Sequence, residues 1–242
     1  MIFNITLKSL VFANGKMYLY NACFNVDLKH AFFIPRKQIL NKEILQTIMK
    51  LKICGLTTIE DIECVNAASV DYAGFVFAKG HRQELTVETA KKFRAVLSPN
   101  ILAVGVFIDE PKEFIEKLIE HNIINAVQFH GKNEFKLTVP TMRGIVIKTK
   151  EDIKPTNCDY VIFDSHWNGA VGSSGGSFDW RLIENYKQKP FFLAGGINIT
   201  NIEKALSFKP HGIDISSGVE TDGKKNLTKI LEIKNAIKNY CK

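Results

Sequence analysis

Cys54 stands where a thiol can do chemistry. It closes the apolar stretch of Lys52-Ile53-Cys54-Gly55-Leu56-Thr57-Thr58-Ile59, just before a glycine turn and a helix. Leu51 and Ile53 are strand formers, Gly55 permits a tight turn, and Thr57 or Thr58 suits the cap of a helix whose first turn holds Glu60 and Asp61. A thiol there faces a mouth, whereas the blander alternative is a buried structural cysteine. Two further groups have chemical character. Gln128 and His130 share side-chain parity at the end of a short apolar run, so they point the same way; a lone histidine is also often just a satisfied structural residue. Two glycine-bearing loops, Ala194-Gly195-Gly196-Ile197-Asn198 and Ser216-Ser217-Gly218-Val219-Glu220, each follow an apolar run. Glycines admit an anion close to the backbone, and amides supply donors to it, so Gly195, Gly196, Ser217 and Gly218 are candidate phosphate ligands. One Gly-Gly alone is more often a plain turn, but two such loops at adjacent strand ends reinforce each other.

These residues need a scaffold, and the pattern of the chain specifies one. From residue 50 onward, β-rich apolar runs alternate with amphipathic stretches, which predicts parallel strands joined by helices. Eight strands are expected, at 50–54, 72–78, 101–108, 125–129, 143–148, 159–163, 190–194 and 212–215. Helices are expected at 86–97, after Thr86, and at 111–120, opening on Pro111. The connection at about 149–158 is too short and proline-interrupted for a full helix, so one helix is expected to be missing between the fifth and sixth strands. No glycine fingerprint follows the first strand, and the glycine turns gather after the last two. That distribution favours a closed (β/α)8 barrel over an open doubly wound sheet, because such barrels commonly bind phosphate at the loops after strands seven and eight.

Composition narrows the function classes. The chain has 242 residues and a formal charge of +7, yet the excess forms no stripe interleaved with aromatics, so no nucleic-acid partner is expected. Residues 1–48 hold six Lys or Arg against Asp27 and Glu43, more than half of that excess. A modest positive field suits an anionic small molecule. Five scattered cysteines, with no C-x-x-C pair, signal neither a disulfide framework nor a zinc site and fit a reducing cytoplasm. No run approaches a membrane span, and the N-terminus lacks a secretory pattern.

From about residue 49 onward the chain resembles phosphoribosylanthranilate isomerase. The resemblance is carried, in order, by Lys52-Ile53-Cys54-Gly55-Leu56-Thr57, Gly74-Phe75-Val76-Phe77, Val104-Gly105-Val106-Phe107, Val127-Gln128-Phe129-His130-Gly131 and Phe163-Asp164-Ser165. It continues through Gly172-Ser173-Ser174-Gly175 with Phe178-Asp179-Trp180, then Leu193-Ala194-Gly195-Gly196-Ile197 and Asp214-Ile215-Ser216-Ser217-Gly218-Val219-Glu220. The resemblance implies an Amadori rearrangement of N-(5-phosphoribosyl)anthranilate to 1-(2-carboxyphenylamino)-1-deoxyribulose 5-phosphate, with no cofactor and no metal. It implies Cys54 as general base, Asp164 as general acid, and substrate contacts from Arg82, Gln128, His130 and Asp214. The strand order agrees: Cys54 on the first strand and Asp164 on the sixth are three steps apart around an eight-strand ring. Their chemistry asks opposite things of them. A thiol titrates ordinarily near 8.5 and needs positive charge or dipoles to become a thiolate, whereas an aspartate titrates near 3.9 and needs desolvation to stay protonated.

The chain departs from the family pattern in places. In Gly80-His81-Arg82-Gln83-Glu84-Leu85-Thr86, an ungapped match puts Gln83 where the family has the arginine that receives the anthranilate carboxylate, with Arg82 one place early. A one-residue loop shift returns Arg82 to that role; otherwise aromatic-acid recognition is altered. Gly176 stands where a lysine is common, and Asn226 where an aspartate is usual. Residues 1–48 have no counterpart in the family: they are either an appendage or lie upstream of a translation start at Met49. They contain a hairpin signal around Asn14-Gly15 and a helix-like stretch at 37–48. The expected partner is a small phosphorylated substrate, the expected assembly a monomer or homodimer. Two other readings stay open: a non-catalytic phosphate-ligand sensor, and another phosphate-binding barrel such as indole-3-glycerol-phosphate synthase, which needs a lysine acid.

Overall fold

The computed structural model describes residues 4–13, 16–25, 49–165 and 178–241, which fall into two compact units, 1–48 and 49–242. In the first unit β1 (Asn4–Ala13) and β2 (Lys16–Asn25) pair antiparallel, Ala13 opposite Lys16. The hairpin signal Asn14-Gly15 itself lies outside the described residues. The helix-like stretch 37–48 lies outside the described residues.

In the second unit eight parallel strands close into a barrel: β3 (Lys50–Cys54), β4 (Tyr72–Val76), β5 (Leu102–Phe107), β6 (Ala126–Phe129), β7 (Thr141–Val146), β8 (Tyr160–Asp164), β9 (Phe191–Leu193) and β10 (Gly212–Ile215). Each lies within about two residues of its expected span. The largest offset is β7, whose start and end are set by side chains. Asp159 accepts from the Thr141 amide and hydroxyl just after Pro140, and Asp152 accepts from the Lys148 and Thr149 amides beyond the far end.

The described residues hold five helices in this unit, α1 (Ile59–Ala68), α2 (Val87–Val96), α3 (Lys112–Glu120), α4 (Ile202–Ser207) and, after a short hairpin of β11 (Glu220–Thr221) and β12 (Lys224–Lys225), α5 (Leu227–Tyr240). Thr58 and Asp61 form a reciprocal capping box on α1, and Thr86 caps α2, which satisfies amides that a helix start leaves unpaired. Pro111 is the N-cap of α3, one position before the first turn where it was expected.

Only a 3-10 turn, Lys150–Asp152, spans β7 to β8, as the proline-interrupted sequence predicts. The strand alternation overstates helix elsewhere. Residues 130–140 between β6 and β7 hold none, because that loop is held by polar contacts: Arg143 donates to the carbonyls of Gly131 and Asn133, and Asp109 accepts from the amides of Lys132 and Asn133. Between β8 and β9 the described residues carry a 3-10 turn, Trp180–Ile183.

The apolar mass lies between barrel and helices, while Tyr72, Val104, Ala126, Met142, Ile162 and Phe192 form a buried cluster inside the ring. Strand neighbours in register with that cluster are Lys52 and Asp214, both buried. A lysine and an aspartate inside a barrel must pair, since an isolated buried charge is too costly to keep.

Candidate active site

The C-terminal ends of the barrel strands gather the candidate residues. Cys54 ends β3 and Asp164 ends β8; around the ring they are separated by β10 and β9, so they face one another across the mouth. Both are half-buried.

Below Cys54, on the same face of β3, Lys52 is fully buried and its ammonium lies 2.9 Å from Asp214 Oδ2. Burial opposes the charge on Lys52, but Asp214 and Cys54 outweigh it and hold the ammonium above its ordinary range. Burial pushes the Cys54 thiol up and Asp214 adds to that, while Lys52 and Lys225 pull it down. The positive charge that a thiolate needs is therefore present, but burial outweighs it and the thiol stays above its ordinary range. The Lys225 ammonium donates to Glu220 Oε1 at 2.5 Å and to the Ser216 carbonyl at 3.2 Å. Its strand is fixed by Asp61, which accepts from the Lys225 amide at 2.8 Å while also accepting from the amides of Thr57 and Thr58.

Across the mouth, Gln128 Nε2 and His130 Nε2 lie 2.5 Å apart, so the shared parity does bring them together. The His130 ring lies over Gly144 of β7, where any Cβ would collide with it. Burial, with Lys52 and Arg143 adding to it, holds this imidazole well below the usual histidine range, so it is neutral near pH 7. Two buried acceptors, Gln128 Oε1 and Asp214 Oδ1, have no hydrogen-bond partner among the described residues. Such atoms suit hydroxyl donors of a polyol, because an unmet buried acceptor costs about 1–3 kcal/mol.

The two glycine loops also meet. Gly195 and Gly196 have φ of +83° and +67°, and Gly218 lies so close to the Ile197 carbonyl that a Cβ would strike it. Ser217–Val219 forms a 3-10 turn beside them. The run Gly172-Ser173-Ser174-Gly175 and Gly176 lie outside the described residues.

Arg82 and Gln83 part company. Gln83 is buried, its carboxamide covers Gly55, and its Nε2 donates to Glu220 Oε1 at 3.2 Å and Ser216 Oγ at 3.4 Å. Arg82 stays at the rim with 41% of its side chain exposed, 3.5 Å from Glu220 Oε2. One carboxylate thus holds both, and Arg82 keeps donors for an incoming anion.

Comparison with known proteins decides the family. A family model described as "N-(5'phosphoribosyl)anthranilate (PRA) isomerase" matches residues 51–236. The chain belongs to the PRA isomerase family. An N-(5'-phosphoribosyl)anthranilate isomerase of Endomicrobium trichonymphae is 40% identical over 192 residues, covering 76% of this chain and 95% of that protein. That of Streptococcus mutans is 36% identical over 195 residues, covering 78% and 98%. Among solved structures, the phosphoribosyl anthranilate isomerase of Thermotoga maritima superposes with a TM-score of 0.69 at 28% identity, covering 79% of this chain and 99% of that one. Another, in complex with reduced 1-(o-carboxyphenylamino)-1-deoxyribulose 5-phosphate, does so with a TM-score of 0.66 at 27% identity and the same coverage.

Against the sequence expectations, the PRA isomerase barrel of this chain brings Cys54, Asp164, Gln128, His130 and Asp214 to strand ends or inward positions and joins the two glycine loops. Sequence reasoning assigned no role to Lys52, Lys225, Glu220 or Asp61. For Lys52 the signal was there: a charged side chain two residues before Cys54, hence on its face of an otherwise apolar strand. Asp61 stood out only as a first-turn helix acid, and its contact with the Lys225 amide had no local signal, since the two lie 164 positions apart. Among the described residues no group of three or more His, Cys, Asp or Glu is placed to hold a metal ion, and no helix is long and apolar enough to cross a membrane.

Proposed function

We infer that residues 49–242 catalyse the Amadori rearrangement of N-(5-phosphoribosyl)anthranilate, and that no part of the chemistry falls to residues 1–48. The observation that carries this reading is the opposition of Cys54 and Asp164 across the mouth of a barrel of this family. Asp164, as the carboxylic acid, gives its proton to the furanose ring oxygen. The C1–O bond breaks and the anthranilate nitrogen lone pair forms the C=N bond of a protonated Schiff base, leaving Asp164 as carboxylate. Cys54, as thiolate, removes the C2 proton, and the C–H electrons form C1=C2 while the C=N pair returns to nitrogen. The enolamine then gives its C2 hydroxyl proton to the Asp164 carboxylate as C1 takes one from the Cys54 thiol, which yields the ketone and returns both residues to their starting states.

The remaining residues hold the substrate. Gln128 Oε1 and Asp214 Oδ1 accept from sugar hydroxyls, and His130, neutral, orients Gln128. Amides of Gly195, Gly196, Ser217 and Gly218 receive the phosphate. Arg82 receives the anthranilate carboxylate, a role for which its guanidinium geometry suits it better than the paired carboxamide of Gln83. The ligand is a small phosphorylated molecule, the assembly a monomer or homodimer, and the setting the cytoplasm. Retention of both Cys54 and Asp164 speaks against a sensor that has lost turnover. A spectroscopic assay of the purified chain with freshly made phosphoribosylanthranilate tests the reading: product must accumulate, and a protein that binds substrate without turning it over would leave the sensor as the answer.

A further inference from the structure

The buried lysine beneath Cys54 is not accounted for by substrate binding. Lys52 has no exposed surface and its ammonium is paired with Asp214. Yet its ammonium stands on the face of β3 that carries Cys54, two residues on, and it is tied to Asp214 directly across the strand pair at 2.9 Å. A barrel core filled by apolar side chains would be as stable or more so, since replacing a buried ion pair with well-packed apolar residues is often neutral or stabilising. The charge needs another reason to be there.

We propose that Lys52 is a positioning residue for the proton-abstraction step: its ammonium, anchored on Asp214 and on the face of β3 that carries Cys54, lowers the cost of forming the sulfur anion that removes the C2 proton. Lys225 supports it from above. That ammonium grips Glu220 Oε1 and Ser216 Oγ, the same two atoms that Gln83 bonds where its carboxamide covers Gly55, the residue next to Cys54. Two buried cations, Lys52 and Lys225, thus favour the thiol's anion. The charged or titratable groups facing it are Lys52 on β3, Asp214 on β10 and Lys225 on β12, with Glu220 beside Lys225. His130, just after β6, stays neutral, so it adds no positive charge to repel the Lys52 ammonium. Asp214 has two effects: it keeps Lys52 charged, and it opposes the thiolate, so removing Lys52 leaves the thiol with the opposing charge alone.

The proposal rests on Cys54 being the base, and the experiment separates the two. Alkylation of Cys54 by iodoacetamide is followed against pH, with its peptide resolved by mass spectrometry from those of Cys23, Cys64, Cys158 and Cys241. In Lys52→Gln the midpoint of Cys54 reactivity should rise by about one to three pH units, the range for loss of one close opposite charge. The acid limb of kcat/KM should rise with it while KM changes little. Lys52→Arg, which keeps the charge, should restore both profiles. An unchanged alkylation midpoint in Lys52→Gln overturns the proposal even if activity falls, because a merely structural lysine lowers activity without moving that midpoint. Should Lys52→Gln not fold, wild-type protein carrying 15N-lysine answers the same question. By reciprocity the Lys52 Nζ resonance must shift as Cys54 ionises and lose that step in Cys54→Ser; a flat signal overturns the proposal. If instead Cys54→Ala retains turnover, the base assignment fails and the alkylation result stands apart from it.

Discussion

The two sides of the barrel mouth are built on different principles. The side of β3, β4 and β10 is braced by buried charge: Lys52 on Asp214, Lys225 on Glu220, and Asp61 on three backbone amides, those of Thr57, Thr58 and Lys225. The side of β6 and β7 sets uncharged groups together, His130 against Gln128 and over Gly144, and spends its charges on the loop 130–140, with Arg143 on Glu134 and backbone carbonyls and Asp109 on the amides of Lys132 and Asn133. A base that must become an anion sits on the first side, where cations oppose the cost of desolvating it. The second side offers sugar hydroxyls an unmet acceptor without a net charge, so it can hold them through a reaction in which positive charge appears and disappears on the nitrogen.

The contrast breaks most visibly at the two catalytic positions. Cys54→Ala and Asp164→Asn should each lower kcat by at least about a hundredfold, the usual size of a lost general acid or base, with KM changed far less. Steady-state kinetics checks this, and near-normal turnover in either variant removes that residue from its role.

Next in size is the rim of the charged side. Arg82→Ala should weaken substrate binding by about 1.5–3 kcal/mol, the range for hydrogen bonds to charged groups. Gln83→Ala, by contrast, should leave affinity near normal and lower stability by about 1 kcal/mol, since its carboxamide is spent on Ser216 and Glu220. Titration of both variants with a reduced product analogue, beside urea melts, separates the roles; equal affinity in wild type and Arg82→Ala excludes the carboxylate contact.

Smaller again is the phosphate end, which lies between the two sides. Gly218→Ala places a methyl against the Ile197 carbonyl and must shift one glycine loop off the other. Inhibition by inorganic phosphate should weaken several-fold while the melting temperature falls by a few degrees. Unaltered phosphate inhibition would place the anion elsewhere.

The smallest effect distinguishes the neutral side by its response to acid. Burial holds His130 below the ordinary histidine value of 6.5. The unfolded chain then binds a proton that the folded site refuses, so this contribution is complete above about pH 6.5 and declines as pH falls below it. Urea midpoints compared between pH 7.5 and 5 should drop less in His130→Gln than in wild type, and an identical drop would mean that His130 is protonated in the folded state.

What the sequence determined by itself is what short-range pattern determines. Apolar runs of strand length separated by amphipathic stretches specify parallel strands, and all eight lie close to their expected spans; the i, i+2 parity that pairs Gln128 with His130 is likewise local. The cysteine before Gly55 and the paired glycine loops were legible because a barrel puts every strand end on one rim, whereas the aspartate after Phe163 entered through the family resemblance. Tertiary structure alone decided the rest. It replaced a helix between β6 and β7 with a loop held by Arg143 and Asp109, set β7 by Asp159 and Asp152, and buried Gln83 while leaving Arg82 at the rim. It also set Lys52 against Asp214, 162 residues away, and laid Lys225 near Cys54. Side-chain charges act through space, and the distances that govern them exist only once the ring has closed.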